Sequence, residues 1–63
     1  MTQKELLYVE DAVSHEDTII LNIQDYINCL EDNNLIDFMK KELKTHEKMK
    51  KDLLKLLEDE SYE

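Results

Sequence analysis

Apolar residues recur every three or four positions along almost the whole chain, which is the spacing of one face of an α-helix. In the first half, the stripe positions are Leu6, Val9, Val13, Glu16, Ile20, Ile23, Ile27 and Leu30. In the second half, they are Ile36, Met39, Leu43, His46, Lys50, Leu53 and Leu57. The pattern therefore predicts two amphipathic helices, each with one mainly apolar stripe.

The 63-residue chain contains neither glycine nor proline, the residues that most often end helices. The ends of these helices are therefore predicted from capping residues. Thr2 and Glu5 form the Thr-x-x-Glu pattern of a capping box at the start of the first helix. We predict helix 1 over about 3–31, a hinge at 32–34, helix 2 over about 35–58 and an acidic tail at 59–63.

The hinge is expected at Asp32-Asn33-Asn34, the one short polar stretch between the two patterns. Asparagine tolerates the left-handed backbone that often ends a helix, which suits Asn33 or Asn34. Asn34 together with Asp37 is the N-cap that we expect for helix 2.

A second row of residues widens the apolar stripe on each helix. Its members are Ala12, Ile19, Tyr26, Leu35, Glu42, Met49 and Leu56. One helix packed on one helix cannot cover so broad a stripe, whereas a four-helix bundle can. We therefore predict an all-α, antiparallel two-helix hairpin that dimerises into a four-helix bundle.

Four polar residues interrupt the core-facing positions: Glu16, Glu42, His46 and Lys50. With a hinge centred on Asn33, Glu16 would face Lys50 and Ile20 would face His46. One interpretation is a metal-free polar layer that fixes register and oligomeric state. The other is a Zn or Fe site, in which two copies each of Glu16, Glu42 and His46 meet in the bundle core. We expect no cofactor, with Zn or Fe as the alternative.

The charges are unevenly distributed within a net charge of −8. Residues 1–31 contain seven acidic groups and one lysine, whereas residues 40–55 contain seven lysines and three acidic groups. This difference favours antiparallel pairing of the two helices. The acidic total and the absence of arginine argue against a nucleic-acid partner. No apolar run approaches the length of a membrane span, and Cys29 is alone, so we expect a cytoplasmic protein without a membrane partner.

The segment from Lys4 to Ala12, the pair His15-Glu16 and the hinge from Leu30 to Leu35 resemble short helical-hairpin proteins of spore-forming bacteria. Those proteins are similar to the spore coat protein F group within the ferritin-like class. The resemblance implies half of a ferritin-like bundle, a structural role and a place in the spore coat. Its metal ligands would carry over to Glu16, Glu42 and His46.

A second, four-residue resemblance involves Val13-Ser14-His15-Glu16, which is similar to the phosphoacceptor box of sensor histidine kinases. That box also lies on helix 1 of a dimerising hairpin. The resemblance implies that His15 accepts phosphate while Glu16 assists as a base.

These observations together predict a non-enzymatic structural or interaction protein that forms a homodimer and binds other proteins. The alternatives are a phosphotransfer or regulatory hairpin acting through His15, and a metal-binding half-ferritin.

Overall fold

The chain folds into two α-helices that pack side by side as an antiparallel hairpin, as a computed structural model describes for residues 1–59. Helix α1 spans Gln3–Cys29 and helix α2 spans Asn33–Asp59, each with 27 residues. The all-α hairpin predicted from the sequence is confirmed. Asp59, predicted to open the acidic tail, is the last residue of α2, and 60–63 lie outside the described residues.

Helix α1 begins at the predicted capping box. The Glu5 backbone N–H donates to Thr2 Oγ1 at 3.1 Å, and the Thr2 backbone N–H donates to Glu5 Oε1 at 2.7 Å. Hydrogen bonding of the Glu5 carboxyl by the Thr2 backbone N–H, and then by the Thr2 side chain, holds the pKa of that carboxyl below its usual range, since it favours the ionised form. Two of the N–H groups that a helix start leaves unpaired are thus satisfied locally.

The turn between the helices has the predicted length of three residues but lies two residues earlier in the chain, at 30–32. Helix α1 ends at Cys29, and the capping residue Leu30 that follows is extended, with φ −85° and ψ 147°. The Leu35 backbone N–H donates to Asp32 Oδ1 at 2.9 Å, so Asp32 caps α2 and the predicted Asn34 cap is wrong. A carboxylate there also interacts favourably with the positive end of the helix dipole. No residue of 1–59 has a positive φ, so the predicted left-handed asparagine is wrong as well.

The predicted stripe residues form the seam between the helices, and each of them is buried or half-buried. Among residues 1–59, however, only Ile23 and Glu16 are buried rather than half-buried, each at 7% exposure. The hairpin measures 49 × 15 × 11 Å, so it is a slab one helix thick. Such a slab has a seam but no enclosed core, and much of its apolar surface stays in contact with solvent.

Candidate functional site

A hydrogen bond between two ionisable side chains joins the two helices at their middle. His46 Nδ1 donates to Glu16 Oε2 at 2.6 Å, and the two residues lie midway along their 27-residue helices. The Glu16 side chain is 9% exposed and that of His46 is 22% exposed. An ionised carboxylate only accepts hydrogen bonds, so Nδ1 carries the proton in this contact. Because an unpaired buried carboxylate destabilises the folded state, this contact matters for the stability of the hairpin.

This pairing corrects the predicted register. Glu16 was expected to face Lys50, but it contacts His46, the residue expected to face Ile20. The prediction placed the hinge centre at Asn33, whereas residues 30–32 form the turn. Moving the centre of a hairpin by two residues moves the facing position by four, which is about one helical turn.

Lys50 leaves the polar layer altogether. Its Nζ lies 2.5 Å from Asp17 Oδ1, with side-chain exposures of 34% for Lys50 and 50% for Asp17. The lysine therefore extends along the outside of the hairpin rather than joining Glu16. The remaining member, Glu42, places Oε2 at 3.9 Å from His46 Nε2, which is an ion-pair distance but too long for a hydrogen bond.

The proposed metal ligands do not form a cation site within one hairpin. Among residues 1–59, no group of three or more His, Cys, Asp or Glu side chains is arranged to hold a metal ion. Glu16 and His46 are instead bonded to each other. The interpretation in which two copies of these residues meet across a dimer stays a prediction.

His15, the predicted phosphoacceptor, is exposed on α1. Its neighbour Glu16 is buried in the seam and accepts a hydrogen bond from His46. Adjacent helix residues point about 100° apart, so the two side chains diverge. The structure therefore gives His15 access to solvent and does not bring Glu16 to it as a base.

The two long faces of the hairpin differ in composition. What we term the apolar face consists of residues at seven-residue spacing along one side of the seam: Ala12, Ile19 and Tyr26 on α1, and Leu35, Glu42, Met49 and Leu56 on α2. What we term the polar face consists of the corresponding positions on the other side: Glu10, Asp17, Gln24, Glu31, Lys40, Glu47 and Leu54. The predicted second row of residues is thus one continuous surface.

Large apolar side chains on this apolar face are open to solvent. The exposed fractions are 54% for Tyr26 and 44% for both Leu35 and Met49. An open groove of about 360 Å³ is lined by Met49, Leu53, Leu56 and Asp52. Contiguous apolar surface on a small protein usually marks an interaction site.

Two exposed aromatic residues extend the apolar face, and the sequence pattern did not single them out for it. Phe38 is 55% exposed and lies three residues from Leu35, while Tyr8 is 60% exposed and lies four residues from Ala12. Residues with these spacings are neighbours on a helix surface. Helical spacing from the predicted row was the signal that would have found them. Three further exposed leucines, Leu7, Leu21 and Leu54, lie apart from this face.

No family model matches this chain, and no curated protein and no solved structure matches it either. The resemblances to spore coat hairpins and to the phosphoacceptor hairpin stay predictions. No helix in residues 1–59 is long and apolar enough to cross a membrane. The chain's function must therefore be inferred from its own surface.

Proposed function

We propose that this hairpin is a non-enzymatic interaction protein whose apolar face binds a second copy of the chain, forming a four-helix bundle. The observation that supports this most directly is the row of half-exposed apolar side chains along one side of the slab. Covering that row removes apolar surface from water, at about 25 cal/mol per Å².

The size of the face suits a homodimer. Helices of 27 residues are about 40 Å long, and the slab is 15 Å wide. One face therefore offers about 600 Å² and a dimer would bury about 1,200 Å², the lower end of the range for specific interfaces. A second copy presents the same apolar row, which a twofold axis makes self-complementary.

Sedimentation equilibrium at micromolar concentration tests this proposal. The expected result is a species of about twice the 7.6 kDa chain mass that dissociates, and loses helical circular dichroism, on dilution. A fully helical monomer at the same concentrations would contradict it.

A structural role in the spore coat is the biological setting that the resemblance of the opening segment suggests for such a dimer. Its test is whether the purified chain associates with extracted coat layers of a spore-forming host and fails to do so when the apolar face carries lysines.

Exposure of His15 favours one second candidate, a phosphotransfer hairpin. Incubation with a small-molecule phosphodonor, followed by intact-mass measurement, tests it. An acid-labile adduct that His15→Gln abolishes would support phosphotransfer, and an unchanged mass would contradict it.

A further inference from the structure

His46 has one nitrogen committed within the hairpin and one directed toward the apolar face. Nδ1 donates to Glu16, whereas Nε2 lies 3.9 Å from the carboxylate of Glu42, a member of that face. Lys50, the other polar residue of this part of the seam, turns to Asp17 on the polar face. At the middle of the hairpin, the polar groups at the surface that a second copy would cover are therefore Glu42 and the Glu16–His46 contact beside it.

Two twofold dimers can be built on the apolar face. With the axis parallel to the helices, both turns lie at one end and each α1 lies beside the α2 of the second copy. With the axis across the helices, the turns lie at opposite ends and like helices become neighbours. Because Glu16 and His46 are midway along their helices, both dimers bring the two contacts to one level.

The two dimers differ in the order of charges around that level. The parallel axis gives the order Glu16, His46, Glu16, His46, so every carboxylate has an imidazole on both sides. The crossed axis places Glu16 beside Glu16 and His46 beside His46. Like charges side by side in a desolvated layer repel each other strongly, which favours the alternating order.

We propose that the dimer axis runs parallel to the helices and that the partner copy completes a closed, metal-free ring of two Glu16 and two His46 side chains. This inference rests on the proposed homodimer. Nδ1 of each imidazole donates to Glu16 of its own chain, and Nε2 donates to Glu16 of the second copy. Each imidazole N–H then has a carboxylate acceptor in the ring, and the Glu42 carboxylate beside each His46 Nε2 lies at the edge of the ring.

The charges outside the seam favour the same arrangement. Helix α1 is acidic, with Lys4 as its only basic residue, whereas α2 contains all seven of the other lysines. The parallel axis places each acidic helix between two lysine-rich helices. The crossed axis would bring two lysine-rich helices together, and the resulting repulsion selects against it.

The native cysteine supplies a direct test of the axis. Cys29 is exposed and ends α1, which places it about 20 Å along the helix from Glu16. In the crossed dimer, the two Cys29 residues are about 40 Å apart along the bundle, whereas in the parallel dimer they are level and separated only by its width, roughly 20–30 Å with labels. We expect spin labels on Cys29 to give one short distance in pulsed dipolar measurements.

A single distance of about 40 Å or more, in a protein that sediments as a dimer, would overturn the parallel axis and leave the homodimer intact. A monomer in sedimentation would overturn both proposals. The readouts thus separate the failure of the orientation from the failure of the proposed function.

The ring itself is tested by Glu16→Leu combined with His46→Leu. If the ring selects the orientation, the double variant remains a dimer but shows both the short and the long distance. A variant that keeps only the short distance would contradict that role for the ring. The matched control, Gln24→Leu on the exposed polar face, should keep the wild-type distance.

The competing hypothesis is that the two Glu16 and two His46 side chains of the dimer bind a metal ion. We expect chelator and added Zn²⁺ to leave the label distance and the Tm of the wild-type dimer unchanged. A Tm that falls with chelator and returns with Zn²⁺, in the wild type but not in the double Leu variant, would overturn the metal-free ring in favour of a cation site.

Discussion

The two long faces of this hairpin are built on the same helices yet have opposite surface chemistry. On the apolar face, Tyr26, Leu35 and Met49 leave large side chains half exposed. On the polar face, the corresponding positions are mainly charged, and Asp17 reaches across to Lys50. The difference teaches that one side of the seam is covered by charged side chains, whereas the other leaves apolar side chains exposed, as the proposed dimer requires.

The largest effect should come from placing charge on the apolar face. We expect Tyr26→Lys with Met49→Lys to weaken dimerisation by about 100-fold or more, equivalent to about 2.7 kcal/mol, because two apolar anchors are replaced by ammonium groups. Sedimentation equilibrium over a concentration series measures the change.

The matched control replaces two equally exposed leucines away from that face. Leu21 is 62% exposed and Leu54 is 45% exposed, so lysines at these positions change the net charge by the same amount at similarly exposed sites. The dimer should tolerate them with less than about a threefold change in Kd. Equal weakening by both pairs would show that the two faces do not differ in function.

The second-largest effect should come from breaking the Glu16–His46 contact in the seam between the two helices. His46→Leu leaves the buried Glu16 carboxylate without its partner and should lower the free energy of unfolding by about 1–3 kcal/mol or more. Replacing both residues by leucine should be close to neutral or stabilising, since no buried charge remains. Urea denaturation at a fixed chain concentration distinguishes the two variants.

On the polar face, breaking an ion pair should matter much less. Lys50→Met removes the contact with Asp17, which solvent weakens because both side chains are partly exposed, and should cost about 0.2–1 kcal/mol. The loss should shrink further in high salt. If Lys50→Met lowered the free energy of unfolding as much as His46→Leu does, the prediction would be contradicted, because the exposed ion pair would then stabilise the fold as strongly as the buried contact in the seam.

The smallest effect should arise where the apolar face ends, at the Thr2–Glu5 capping box. The pKa of Glu5 is lowered by the hydrogen bonds from Thr2, so its stabilising contribution is complete above the ordinary glutamate pKa. It is lost as the pH falls through the lowered value. Helical circular dichroism of the wild type should therefore decrease slightly more than that of Glu5→Gln over this acidic range. Parallel acid titrations of both proteins would contradict this prediction.

The seam could be read from the sequence because it depends on spacing alone. The positions from Leu6 to Leu30 and from Ile36 to Leu57 repeat every three or four residues, and the structure buries or half-buries all of them. The capping box was also readable, because Thr2 and Glu5 interact within one helical turn.

Register could not be read in the same way, because it depends on a choice among neighbouring cap residues. Asp32, Asn33 and Asn34 can each cap a helix, and only the fold shows that Asp32 accepts from Leu35. That choice moves the partner of Glu16 from Lys50 to His46. The breadth of the apolar stripes predicts a dimer, but the orientation of its two copies could not be predicted, since it depends on a surface shared by two chains.

The central position of the Glu16–His46 contact also limits how the length of such a chain can change over evolution. One residue inserted between Glu16 and the turn would rotate that glutamate by about 100° around the helix and move it out of the seam. Seven residues added to each helix on the turn side would restore both the rotation and the level of the contact. Related chains that keep the contact should therefore differ by seven residues in both helices at once. Single-residue insertions should occur near the two chain termini, at the end of the hairpin opposite the turn.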